Sequence, residues 1–224
     1  MEPYPIQSTT SIFQSFNQID RQSYHTIIRY FNQHVEEIKC LDFEEYFEIL
    51  TSYVNALFEA GAYQKHALMA DVVIEASIIN NVRVYQGIAL FEKTLFQKAA
   101  SLYHLHQFEE SAHILTELIK INPSDETFQT FLRKNRLLVK PAYLRKSLGL
   151  AIVFYFISIL VIALTTFFLD PFYPQYTPLA DQCRNLAFMS GTGLILITDG
   201  IHRLSVLMQV RKLTAQSIEK LKRS

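Results

Sequence analysis

Residues 147–169 read SLGLAIVFYFISILVIALTTFFL, a run without one charged side chain. A helix rises about 1.5 Å per residue, so a run of this length crosses the ~30 Å hydrocarbon core of a bilayer. Fifteen of these residues are Leu, Ile, Val or Phe. At roughly −0.3 to −0.6 kcal/mol each near the middle of a bilayer, they favour insertion by several kcal/mol. The alternative is a soluble helix, which would need a domain able to surround it on every side. The run is therefore expected to be a membrane span, and the rest of the chain is best read outward from it.

On its N-terminal side, residues 127–146 carry no acid and six bases: Arg133, Lys134, Arg136, Lys140, Arg145 and Lys146. Bases this close to a span mark the cytosolic face. Pro141 ends the preceding helix and marks a hinge. On the other side, Asp170-Pro171-Phe172-Tyr173-Pro174-Gln175-Tyr176-Thr177-Pro178 suits a short loop at the far interface, where aromatic rings sit among headgroups. Arg184 is the one base in the loop 170–184. The asymmetry predicts that both ends of the chain face the cytosol.

A second span is expected over about 185–210. Its charge-free part, 185–198, numbers fourteen residues, too few to cross alone. Extension to Val210 takes in Asp199, His202 and Arg203, where Asp and Arg cost about +2.5 to +3.5 kcal/mol each at mid-depth. Spaced four apart, Asp199 and Arg203 share a helix face and can neutralise one another, and Arg203 can reach toward the interface. Ala187, Gly191 and Gly193 permit close packing on the first span. The prediction is a two-helix hairpin, with a re-entrant segment ending near Thr198 as the alternative. The polar pair is read either as self-neutralised or as part of an ion path or subunit contact. The tail 211–224 reads as a basic helical extension lying on anionic lipid headgroups.

The formal net charge of zero hides a division. Residues 1–126 hold 17 acids and 8 bases, and residues 127–224 hold 4 acids and 13 bases. Because those bases adjoin apolar spans, lipid is the expected partner and nucleic acid is not. The topology puts Cys40 and Cys183 on opposite sides of the membrane, so they are not expected to pair. Cys40 reads as a small buried residue, and Cys183 could bridge between chains on an oxidising side. The opening MEPYPIQSTTSIF lacks the basic then apolar order of a signal peptide.

Residues 1–140 read as a helical domain and 141–224 as the membrane hairpin with its tail. In the first part, helical periodicity predicts helices at about 9–18, 21–38, 42–60, 63–80, 84–106, 108–121 and 124–138. Asp42, with Glu44 and Glu45 after it, reads as a helix start. Asn122-Pro123-Ser124-Asp125 is the clearest break. Two stretches are alike: Ala56–Ala67 (ALFEAGAYQKHA) and Ser101–Ala112 (SLYHLHQFEESA). In each, an apolar helix ends at a short turn, an aromatic residue opens the next helix, and a small residue follows four positions later.

Residues 92–125 resemble one tetratricopeptide repeat. Ala99 stands at the small position of the first helix, Leu102 near its end, Phe108 at the aromatic opening of the second helix, Ser111 at the small packing site, and Pro123 at the end. The departures are His106 in place of the turn glycine and Leu118 in place of an alanine. The earlier unit has Gly61, Tyr63 and Ala70 but no proline, and the two turns lie 45 residues apart rather than the family's 34. The resemblance implies an all-α stack of antiparallel helix pairs ahead of two transmembrane helices. It also implies a concave groove for a peptide or partner helix, lined by Lys93, Phe96, Ala100, Tyr103 and His104 in one unit and by Glu48, Asn55, Phe58 and Glu59 in the other. The competing reading is that Phe58, Phe96 and Tyr103 simply pack between helices. No Lys/Arg cluster is present to clamp a terminal carboxylate.

No GxSxG, HExxH, CxxC or phosphate-cradling glycine loop occurs, and the seven histidines do not fall at ligand spacing. His104 and His106, two apart on a helix, point to different faces. The expectation is therefore a protein without enzymatic chemistry, metal or cofactor. It is expected to be a membrane-anchored adaptor recruiting a cytosolic partner. The alternative is a channel or effector subunit whose hairpins self-associate around Asp199 and Arg203.

Overall fold

The computed structural model describes residues 6–82, 84–85 and 88–223. The fold is all-α. The helices are α1 (Ile6–Asn17), α2 (Tyr24–Gln33), α3 (Val35–Ile38), α4 (Phe43–Glu59), α5 (Tyr63–Ile79), α6 (Leu90–His104), α7 (Phe108–Ile121), α8 (Glu126–Leu138), α9 (Ala142–Leu164), α10 (Asp170–Phe172) and α11 (Thr177–Arg223). A π-helical turn, Thr165–Leu169, continues α9 into α10. The chain forms two compact units. One runs to Asn135 and takes in the last turns of α11 from Ser217, and the other is Arg136–Gln216.

In the first unit α2 packs on α4, α4 on α5, α5 on α6 and α6 on α7. The core between α2, α4 and α5 is apolar: Ile38, Ile49, Leu50 and Leu57 are fully buried. Phe31 and Tyr53 stack within it at 3.9 Å. The Tyr53 hydroxyl donates to Asn32 Oδ1 at 3.3 Å, and burial pushes its ionisation above the usual phenol range. Leu115, Leu118, Ile119 and Leu132 close the core farther along the chain.

Three helices of this unit end in the same way. At the end of α4, Ala62 N donates to Leu57 O and Gly61 N to Phe58 O, with Gly61 at φ +74°. At the end of α6, Gln107 N donates to Leu102 O and His106 N to Tyr103 O, with His106 at φ +62°. At the end of α5, Val82 N donates to Ser77 O and Asn81 N to Ile78 O, with Asn81 at φ +53°. Each is a Schellman cap, in which one left-handed residue lets two trailing N–H groups satisfy carbonyls the helix leaves open. After α4 and α6 the chain reverses within three residues, Ala60–Ala62 and Leu105–Gln107, so α4–α5 and α6–α7 are tight antiparallel hairpins.

Three expectations need correction. The helix expected over 84–106 begins at Leu90. Before it, Val84 and Tyr85 pair antiparallel with Ala89 and Ile88 in a two-residue ladder. The helix expected over 21–38 breaks at His34, whose φ of −117° lies outside the helical range. Cys40 is exposed, because the short α3 turns Ile38 into the core instead; its Sγ donates to Glu36 O at 3.3 Å.

In the second unit, α9 with its extension to Phe172 and the helical segment Pro174–Arg223 are long and apolar enough to cross a membrane. Only 17% of each apolar window is buried by the chain itself. Side chains such as Phe156, Phe167 and Leu186, each about two-thirds exposed or more, have no protein around them to explain their apolarity. Pro141 sits at the N-cap of α9, where its missing N–H leaves no hydrogen bond unmade.

Candidate functional site

In the helix pair α6–α7 two small residues meet at the contact between the helices. Ser111 and Ala99 are fully buried against each other, and the Ser111 hydroxyl donates to Ala99 O at 2.7 Å. No larger side chain could bring the helices this close. Asp125 caps α8 by accepting from Thr127 N at 2.8 Å.

The residues expected to line one groove occupy three settings. Phe96 and Tyr103 face α8: the Phe96 ring lies 5.5 Å from both Phe128 and Phe131, and Tyr103 lies 5.2 Å from Phe131 with Lys134 Nζ 5.2 Å over its ring. Phe58 and His104 gather at the turns. His104 stacks on Tyr63 at 4.3 Å, and Phe58 lies 6.1 Å from Tyr63 and 5.2 Å from His66. Phe58, Phe96 and Tyr103 thus pack between helices. Asn55 and Lys93 come together at the rim of a cavity of about 180 Å³ bounded by α1, α2, α4 and α6. Gln97 joins Asn55 there through Nε2 to Oδ1 at 3.1 Å. Glu48 is held by Arg21 at 3.1 Å, and Glu59 is exposed.

Sequence reading missed His66. The ring is fully buried, and its Nδ1 meets the equally buried Ser101 hydroxyl at 2.8 Å, tying α5 to α6. Its Nε2 has no hydrogen-bond partner among the described residues. Burial lowers its pKa from the ordinary 6.5 to about 4, so the imidazole is neutral at pH 7. The signal was its place in the stretch that repeats 45 residues later, where Ser111 holds the same buried position beside α6.

In the second unit a line of polar contacts runs along the seam between α9 and α11. Tyr143 OH meets His202 Nδ1 at 3.3 Å, Ser147 Oγ meets Thr198 Oγ1 at 3.2 Å, Tyr155 OH meets Thr192 Oγ1 at 3.1 Å, and Ser158 Oγ donates to Arg184 O at 3.4 Å. Arg136 Nη1 donates to Gln209 Oε1 at 2.8 Å, extending the same register. A Cβ on Gly191 would stand 3.2 Å from Phe154 Cβ and 3.3 Å from Ala151 O, so only glycine fits this crossing without displacement. From Tyr143 to Tyr155 each step along α9 is about one step back along α11, and at Ser158–Arg184 the register has slipped by several residues. With Ser147 opposite Thr198, the run 147–169 lies opposite about 176–198.

That register moves the polar pair. Asp199 and Arg203 are bonded, Oδ2 to Nε at 2.8 Å, and half or more of each side chain is exposed. They lie level with residues 142–146, beside Arg145 and Lys146, at the end of the apolar run rather than within it. The span expected over 185–210 therefore meets the first span only through Thr198, and residues 199–209 run alongside 136–146. A second ion pair, Asp181 to Arg184 at 2.8 Å, lies on α11 near the middle of the run 147–169, where Arg184 O accepts from Ser158 Oγ.

Among the described residues no group of three or more His, Cys, Asp or Glu is placed to hold a metal. Comparison with protein-family models, curated proteins and solved structures finds no match to this chain.

Proposed function

We propose that this protein is a membrane-anchored adaptor, held in the bilayer by the α9–α11 hairpin, whose tetratricopeptide-like helical unit recruits a cytosolic protein. The observation that carries the anchor is the antiparallel register of the hairpin. It gathers Lys140, Arg145 and Lys146 on one arm and Arg203, Arg211 and Lys212 on the other at the same end of an apolar band, which is charge-free over 147–169 and carries the Asp181–Arg184 ion pair on α11. Bases on both helices at one level favour that end facing the cytosol and anionic headgroups, which leaves both termini on the cytosolic side. The seam supports a hairpin that enters as a unit, since its hydroxyls are bonded to each other instead of facing lipid. Recruitment rests on the helix pairs α4–α5 and α6–α7, whose matching turns are those of the tetratricopeptide resemblance.

Crosslinking of the full-length protein in native membranes, followed by mass spectrometry, tests this. The expected result is a discrete cytosolic protein crosslinked to α4–α7. Crosslinks confined to lipid and to other copies of the chain would remove recruitment and favour the self-associating alternative. Protease protection of a tag at residue 1 in sealed vesicles would reverse the topology.

A further inference from the structure

The cavity edged by Asn55 and Lys93 has a chemistry unlike the unit around it. Residues 1–126 hold 17 acids against 8 bases, yet among the described residues no Asp or Glu lines the cavity. Its floor is apolar, formed by Phe16, Ile27, Val54, Val73 and Leu90. Its rim offers donors. Among the described residues Lys93 forms no ion pair, and the hydroxyls of Ser52 and Thr94 bond to no other side chain or backbone group. Thr94 is only 4% exposed, so this hydroxyl has little but the cavity to turn to. Arg21 also lines the cavity, with its charge partly met by Glu48 at 3.1 Å.

We propose that this cavity binds a small carboxylate carrying an apolar body of one ring or one branched chain. Size sets the body. A dry cavity of about 150 Å³ holds one benzene ring, and this one has about 180 Å³. Charge sets the head group. One unpaired ammonium and neighbouring hydroxyls match a monoanion that accepts two or three hydrogen bonds. A cation would meet Lys93 and Arg21, and the nearby carboxylate of Glu48 is already taken by Arg21. An extended peptide is larger than this cavity and would need a longer groove, which the packing of Phe96 and Tyr103 on α8 does not leave. The proposal goes beyond recruitment and does not depend on it: it makes the helical unit a receptor for a metabolite-sized acid.

Calorimetric titration of the full-length protein in lipid nanodiscs, with phenylacetate, 4-methylpentanoate and 2-phenylethylamine as probes, tests it. At least one acid is expected to bind with a Kd of about 1 mM or tighter, and the amine at least about tenfold more weakly. Lys93→Met, at an exposed position that leaves the core intact, is expected to weaken the acid about tenfold, and Thr94→Val by a smaller factor. Equal binding of acid and amine, unchanged affinity in Lys93→Met, or no binding of either acid overturns the proposal. So does binding of an acidic phenylalanine-containing peptide where both free acids fail, which would assign the cavity to a protein partner.

Discussion

Gly61 and His106 hold the same left-handed backbone, φ +74° and +62°, at the same point of two helix hairpins 45 residues apart. Glycine takes this conformation freely, whereas a residue with a Cβ pays about 1–2 kcal/mol. His106 therefore carries a local cost that Gly61 does not. His106→Gly is expected to stabilise the α6–α7 hairpin by about 0.5–1 kcal/mol, the relief of strain being partly offset by a more flexible unfolded chain. Gly61→Ala is expected to destabilise α4–α5 by about 1 kcal/mol or more, although a Cβ there would meet only Tyr63, at an ordinary 4.0 Å. Hydrogen exchange of the amides in each hairpin reads both effects. Slower exchange in Gly61→Ala would show that the cap conformation is not what costs.

His66 makes the helical unit sensitive to acid. Its pKa is about 4 in the fold and about 6.5 when unfolded. Between these values the unfolded chain binds the extra proton, so stability rises with pH across the window. The contribution is complete above about pH 6.5 and is lost as pH falls toward 4, amounting to about 3 kcal/mol in all. Melting of the protein in detergent micelles from pH 4 to 7.5 is expected to show this loss. His66→Leu, which leaves nothing to titrate, is expected to flatten the window. A variant that keeps the same slope would place the acid sensitivity elsewhere.

Much of this architecture is legible along the chain because its causes are local. The run 147–169 declares itself by composition, Gly61 and Pro123 by backbone chemistry, and Asp125 by its place before α8. What escapes the sequence depends on partners distant in it. Phe96 and Tyr103 sit at a spacing that fits a groove as well as a core, and only the arrival of Phe128 and Phe131 on α8 decides between them. Ser147, Tyr155, Thr192 and Thr198 are unremarkable in an apolar run until the antiparallel register sets them face to face. His66 has the composition of a surface residue, and its burial follows from how closely α5 approaches Ser101.

The hairpin register makes a geometric prediction. In a background with Cys40 and Cys183 replaced by serine, Ser147→Cys with Thr198→Cys is expected to form a disulfide under mild oxidation, because the two hydroxyls already lie 3.2 Å apart. Ser147→Cys with Gln209→Cys is expected to give none, since Gln209 pairs with Arg136 instead. Gly191→Val is expected to reduce the yield of the first pair by forcing the helices apart, while Gly193→Ala, whose Cβ would meet open space, leaves it unchanged. Crosslinking of Ser147 with position 209 in preference to 198 would shift the whole hairpin and with it the assignment of its membrane band.

Asp199 and Arg203 separate an anchor from a pore. Their bond is short, but both side chains are largely exposed and lie level with Arg145 and Lys146. An exposed i,i+4 ion pair contributes only about 0.3–0.5 kcal/mol, so neither residue is needed to hold the hairpin together. Asp199→Asn combined with Arg203→Leu is therefore expected to leave membrane retention unchanged, as read by carbonate extraction of membranes. It is also expected to leave ion flux through reconstituted vesicles at the level of protein-free controls, before and after substitution. A pore lined by the pair behaves differently: the native protein would conduct, and removing the charges would change its ion selectivity or abolish the current. Conductance that depends on these two side chains would move the hairpin from tether to channel and make self-association, rather than recruitment, the property to pursue.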